Sequence, residues 1–393
     1  MNTVFKYLKG DKNIWVIALL LGILSVVSVF SFIPILVKVK GLSYSFLFFK
    51  HFILLLLGFV LMFVIHKVPF KVFSKLSKLA FYVAIVLLVL TMFIGESVNG
   101  ADRWLKIPLV PFSFQTSDFA KLALVLYLSK QLIKRRKDFG DLSIVARYIM
   151  LPVALIVFLI LPSNLSTALI IGLIALIIMI FAKFPWRWIG LAIGSGVAVF
   201  LLLLQIAKFY PNALPRVTTW NNRIENMFTE EVNPQEQMQI NNSLLAIKNG
   251  SFIGKGPGNG ELKRYIPEAY ADFYFAVIVE EGGLLMALVV VSLYLMLFYR
   301  MIRIALKIQE KNEYAALVVI GIGLIIIISA VVNMMVCTKL LPVTGQNMPL
   351  LSMGGTSAWF TTIALGIVLS ASREIKSKDE VVVKSGELKN AVS

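Results

Sequence analysis

Cysteine occurs once in the 393 residues, at Cys337, and histidine twice, at His51 and His66. A single cysteine excludes an intramolecular disulfide. The two histidines lie near the two ends of one apolar run, and no Cys/His/Asp cluster has metal-ligand spacing. No Ser/His/Asp set is spaced for nucleophilic catalysis either. Charge is scarce: Asp, Glu, Lys and Arg make up 15% of the chain, against about 25% in a soluble domain. Nucleotide signatures are also missing. The stretch "GKGPGNGE" (254–261) carries four glycines in seven residues, yet it matches neither G-x-x-x-x-G-K-[ST] nor the G-x-G-x-x-G that opens a dinucleotide-binding helix. On spacing alone it reads as a plain surface loop, with a tight backbone path or an anion nest as alternatives.

What the chain has in abundance is apolar sequence. Hydrophobic residues are 59% of the total, and mean hydropathy is +0.85. Runs long enough to cross a ~30 Å hydrocarbon core recur from end to end. Ten spans are predicted, at about 14–37, 47–65, 79–95, 117–133, 145–162, 165–182, 187–206, 271–298, 313–337 and 355–372. The fold class is therefore an all-α polytopic membrane protein of about ten transmembrane helices. The net charge of +17 suggests nucleic acid at first sight, but its placement suits topology better. Lys6, Lys9 and Lys12 precede the first span. Lys67, Lys71, Lys75 and Lys78 follow the second, Lys134, Arg135, Arg136 and Lys137 the fourth, and Arg300, Arg303, Lys307 and Lys311 the eighth. Such clusters mark the cytoplasmic side, where anionic headgroups also hold them. Both termini then lie in the cytoplasm, and no nucleic-acid partner is implied. Residues 14–37, a full span after a basic leader, read as a retained helix rather than a cleaved signal. No internal repeat is visible, which argues against an inverted-repeat transporter.

Three segments fall outside: 96–116, the long 207–270 and 338–354. Residues 373–393 are polar and read as a disordered cytoplasmic tail. Asp272 stands where the long outer loop meets the eighth span. Two readings are even there. It is an interfacial helix-start carboxylate, favoured by the helix dipole, or a functional acid. The second gains from Arg103 and Trp104 on another outer loop and from Lys263 and Arg264 just upstream, since cations suit an anionic substrate and tune a carboxylate. Trp104 is an interfacial anchor or a platform for a sugar. Glu280 and Glu281 fall roughly 12 Å deeper along the helix, where a charge is paired or functional. Lys121 is the natural partner to expect, although Asp118 could pair with it instead.

Five segments together resemble the SEDS family (shape, elongation, division and sporulation) of the FtsW/RodA/SpoVE type: "GADRW" (100–104), "FSFQTSDFAKL" (112–122), "NNSLLAIKNGSFIGKGPGNG" (241–260), "YIPEAYADFYFAVIVEEGG" (265–283) and "LLPVTGQNMPLLSMGGTS" (340–357). The resemblance covers nearly the whole chain. The "KYLKGDKNIW" start (6–15) and the Gln-Thr-Ser segment look closest to division-type members. Some positions depart from the family pattern: Tyr270 and Ala271 replace the usual His-Thr before the aspartate, Thr116 and Asp118 the usual proline and glutamate, and Met348 and Met353 the usual leucine and tyrosine.

The resemblance implies a domain spanning 1–372 that polymerises lipid II into peptidoglycan glycan, in the inner membrane and at the division septum. Its implied partners are a class B penicillin-binding protein and other divisome membrane proteins. It places the family's essential aspartate on Asp272 and its arginine, tryptophan and lysine on Arg103, Trp104 and Lys121. Thr344 and Ser352 join Lys263 and Arg264 as substrate-binding candidates. Asp118, Glu280, Glu281, Gly254, Gly256, Gly258, Gly354 and Gly355 fall to structural or coupling roles. No cofactor is required; a divalent cation, Mg or Mn, could share the pyrophosphate charge. The alternatives are a lipid II flippase, an elongation-type polymerase, or a non-catalytic scaffold for the transpeptidase.

Overall fold

The structure, a computed structural model, describes residues 8–98, 101–106, 113–209, 234–266, 269–353 and 355–390. Helices stand at all ten expected positions. They are α1 (Lys12–Lys40), α2 (Tyr44–Ile65), α3 (Phe70–Ile94), α4 (Thr116–Lys134), α5 (Leu142–Ile160), α6 (Leu165–Phe181), α7 (Trp186–Phe209), α9 (Tyr274–Gln309), α10 (Glu313–Cys337) and α11 (Ser357–Asn390), with α8 (Pro234–Gly250) in the long loop. Among the described residues, seven helices are long and apolar enough to cross a membrane: α1, α2, α3, α5, α7, α9 and α10. α6 is apolar but has only 17 residues. α4 carries Asp118, Lys121, Lys130 and Lys134. The chain is a polytopic helical membrane protein.

Several boundaries differ from expectation for physical reasons. α3 starts at Phe70, not 79, because its first turns are amphipathic. Phe70, Phe73, Ser77, Phe81, Ala84 and Leu88 are buried at helical spacing, while Lys71, Lys75 and Lys78 lower the hydropathy that a span search reads. The 96–116 loop contains a three-stranded antiparallel sheet, β1 (Glu96–Val98), β2 (Ala101–Lys106) and β3 (Ser113–Gln115), with Trp104 opposite Glu96 on one side and Gln115 on the other. The last helix runs on to Asn390 where a disordered tail was expected. Extending a formed helix needs no new nucleus, and the segment after 373 is rich in Lys and Glu, both good helix formers.

α10 is the central helix. Its Val318 and Ile322 belong to a core built from α1, α9 and α11, and its Leu317 and Leu324 to a second core built from α4, α5 and α6. α9 packs along α10, α11 along α2, and α3 along α4.

The glycine-rich stretch is not a plain surface loop. α9 is interrupted at Gly283, where φ is 67° and ψ −172°. The chain from 250 to 256 enters this break. Lys255 N donates to Glu280 O (3.0 Å) and Gly256 N to Glu281 O (2.8 Å), while Leu284 N and Leu285 N donate to Ser251 O (3.0 Å) and Phe252 O (3.2 Å). The loop thus supplies the partners that the broken helix lacks. Two backbones this close leave no space for a side chain. A Cβ on Gly254 would stand 2.3 Å from Glu281 O, and one on Gly283 2.4 Å from Phe252 O.

Candidate active site

Asp272 lies in the turn that runs into α9, one residue before the helix cap at Phe273, not in the first helical turn as expected. The residue is half-buried. Asn333 of α10 holds the turn by its side-chain amide, which donates to Asp272 O (3.0 Å) and Ala271 O (3.3 Å). The hydroxyl of Ser352 also donates to Ala271 O (3.2 Å) and accepts from Met348 N (2.8 Å). Met353 N donates to Tyr270 O (3.0 Å). The 338–353 loop and the Asp272 turn are therefore one interlocked unit.

Gly345 is the meeting point. It sits at φ 68°, where a side chain is strained. A Cβ there would come within 3.1 Å of Arg103 Nη1 and 3.8 Å of Asp272 Oδ2. The guanidinium from β2 and the carboxylate before α9 thus flank the same glycine. Arg103 is aimed by its other edge, since its Nε donates to Ser163 O at 2.8 Å in the turn between α5 and α6. The sheet that presents Arg103 is tied down in turn: β3 runs directly into α4, and Thr356 Oγ1 donates to Ser113 O at 3.2 Å.

Gly345 also borders a crevice of about 40 Å³ lined by Gln115, Asp118, Lys121, Gln346, Asn347 and Thr361. That volume holds a few waters. Lys121 Nζ is 2.7 Å from Asp118 Oδ1, and both are buried. Two desolvated opposite charges this close largely cancel at a distance. Thr344 is buried with its hydroxyl unpartnered among the described residues. Among the same residues, no group of three or more His, Cys, Asp or Glu could hold a metal ion.

The family model FTSW_RODA_SPOVE, described as a cell cycle protein, matches residues 11–377. The chain belongs to this family. A Geobacter sulfurreducens protein named probable peptidoglycan glycosyltransferase FtsW is 32% identical over 328 residues, 82% of this chain and 84% of that one. A Coxiella burnetii protein of the same name is 31% identical over 365 residues, 91% and 94% of the two chains. In fold, the chain is similar to the rod shape determining protein RodA of Thermus thermophilus, with TM-score 0.65 and 24% identity over 93% of this chain and 98% of that one. It is also similar to a chain of a peptidoglycan synthase complex, with TM-score 0.71 and 23% identity over the same shares.

In this FtsW/RodA/SpoVE family member the expected site residues divide. Arg103, Asp272 and Gly345 converge, and Lys121, Asp118 and Thr344 stand beside them. Trp104 is half-buried in β2. Lys263 and the glutamates go elsewhere. Lys263 is 3% exposed, and its Nζ lies 2.5 Å from Glu281 Oε1, 3.1 Å from Gly258 O, and against Ser31 Oγ of α1, which itself donates to Glu281. Glu280 Oε1 accepts from Glu261 N (2.9 Å) and Leu262 N (3.2 Å). Of the two partners the sequence left open for Lys121, the structure has Asp118 and not the glutamates. The long loop folds back into the helix break and brings its own lysine, and Lys121 takes Asp118 one turn away. Arg264 is exposed. Gly258, at φ 85°, has open space around it and lends Lys263 its carbonyl. Gly355 also has positive φ, and Gly354 lies outside the described residues. Sequence reading missed Asn333, Gln346 and Thr167, where Gln346 Nε2 donates to Thr167 Oγ1 at 2.6 Å. An asparagine inside the apolar run of α10 was the available signal.

Proposed function

We propose that this peptidoglycan glycosyltransferase extends glycan strands from lipid II by inverting transfer, with Asp272 as general base, during septal wall synthesis. The donor sugar is α-linked to a pyrophosphate and the product is β-linked, so one direct displacement suffices. The acceptor's 4-hydroxyl oxygen bonds to the donor's anomeric carbon, and the bond from that carbon to pyrophosphate oxygen breaks. The hydroxyl proton passes to Asp272, a transfer worth about 10²–10⁴-fold in such reactions. Pyrophosphate leaves as an anion without a protein acid. Arg103 takes the larger share of its charge, since a guanidinium grips phosphate oxygens in pairs. Lys121 contributes less because Asp118 neutralises it. A divalent cation, Mg or Mn, would share this charge if present. A class B penicillin-binding protein is the proposed partner, which would cross-link the strands.

The observation that carries this reading is the approach of Arg103 and Asp272 to one glycine, from segments far apart in sequence. Purified Asp272→Asn protein with its partner is expected to bind lipid II and make no polymer on a gel of labelled products. Polymer at the wild-type rate removes the base assignment. Movement of lipid II across a reconstituted bilayer without any polymer, by the wild-type chain, favours the flippase instead.

A further inference from the structure

A base on a turn is aimed only as well as the turn is held, and one buried side chain holds both walls of this site. Asn333 is 0% exposed. Its Nδ2 donates to Asp272 O (3.0 Å), Ala271 O (3.3 Å) and Gln346 O (2.8 Å). The amide has two hydrogens, and they are divided among three carbonyls. Two of those carbonyls belong to the base-bearing turn. The third belongs to the residue after Gly345, whose backbone lies against Arg103. Gln346 in turn reaches Thr167 of α6 at 2.6 Å, so the clamp is anchored in the second core as well as in α10.

We propose that Asn333 is a positioning residue that fixes the separation between the Asp272 carboxylate and the Gly345–Arg103 wall. The proposal rests on the reading of Asp272 as base. Asn333 touches no reacting atom in this scheme and acts through the two loops that it joins. Without the amide, both loops keep their other bonds. Ser352 still pins Ala271 and Met348, and α9 still starts at Tyr274. The expected lesion is therefore a displacement of the base, not loss of the fold. A misplacement of about 1 Å between reacting groups costs about 10²-fold in rate.

The test uses the full chain with its transpeptidase partner in proteoliposomes, labelled lipid II, and rates normalised to the folded fraction. Asn333→Ala should lower kcat about 10²-fold and leave KM within about twofold. Unchanged kcat in the folded fraction, or a rise in KM alone, overturns the proposal. Should Asn333→Ala fail to fold, Asn333→Leu carries the test, since it fills the same space and removes both amide hydrogens. It should lower kcat about 10²-fold at constant KM, and a rise in KM instead, or wild-type kcat, overturns the clamp. The two readings separate cleanly. If Asp272→Asn is inactive while Asn333→Ala keeps its kcat, positioning alone fails; if Asp272→Asn polymerises normally, base and clamp fall together.

Discussion

Arg103 does two things with one planar group: its Nε is spent on Ser163 O and its Nη1 faces Gly345. A lysine has a single nitrogen and cannot do both. Arg103→Lys is therefore expected to lose about tenfold or more in turnover despite keeping its charge, as read from initial rates on labelled lipid II. Gly345→Ala attacks the same place from the other side. It would force a Cβ into the left-handed region, at about 1–2 kcal/mol, and press it against the guanidinium at 3.1 Å. The expected result is a modest fall in melting temperature with a much larger fall in rate. A fall in rate no larger than the lost folded protein explains would show that the glycine serves the fold alone.

Among the elements, the break in α9 decides what the long loop is for. Its carbonyls and amides are completed by residues 251–256, and the Lys263–Glu281 pair fastens the loop beneath. Breaking a buried pair from one side leaves an uncompensated charge and costs about 3–5 kcal/mol. Lys263→Met should accordingly melt much lower than the wild type. The double variant Lys263→Met, Glu281→Gln should recover most of that stability and, with it, polymerisation. Stability recovered without activity would return Lys263 to the substrate-binding set. The glycines were visible in the sequence as a cluster failing every nucleotide spacing, but their purpose was not. Nothing local in "GKGPGNG" says that another backbone lies within reach.

For the whole molecule, the charge asymmetry along the chain predicts that both termini face the cytoplasm. Reporter fusions at either end should be active only in cytoplasmic assays, and an active periplasmic reporter at one end would overturn the even span count. The last helix is latched by Arg373 Nη1 to His66 O (2.7 Å) and by Asn312 Nδ2 to Glu374 Oε2 (3.3 Å). Removal of residues after Ser377 leaves both latches. That truncation is expected to fold and to polymerise in vitro at the wild-type rate, measured on the same gels. Loss of polymer would assign the tail a part in the reaction.

Hydropathy, loop charge and five short motifs were enough to define a ten-helix membrane fold, its family and the aspartate of interest, because span length and lysine placement are set by the bilayer and act residue by residue. Tertiary structure alone gave Glu281 the loop's Lys263 as its partner, drew that lysine into the interior, and brought Arg103 and Asp272 to one glycine. Those outcomes depend on which backbones approach each other across the bundle. A buried charge or amide takes whatever partner that packing leaves within about 3 Å, and linear order does not encode that distance.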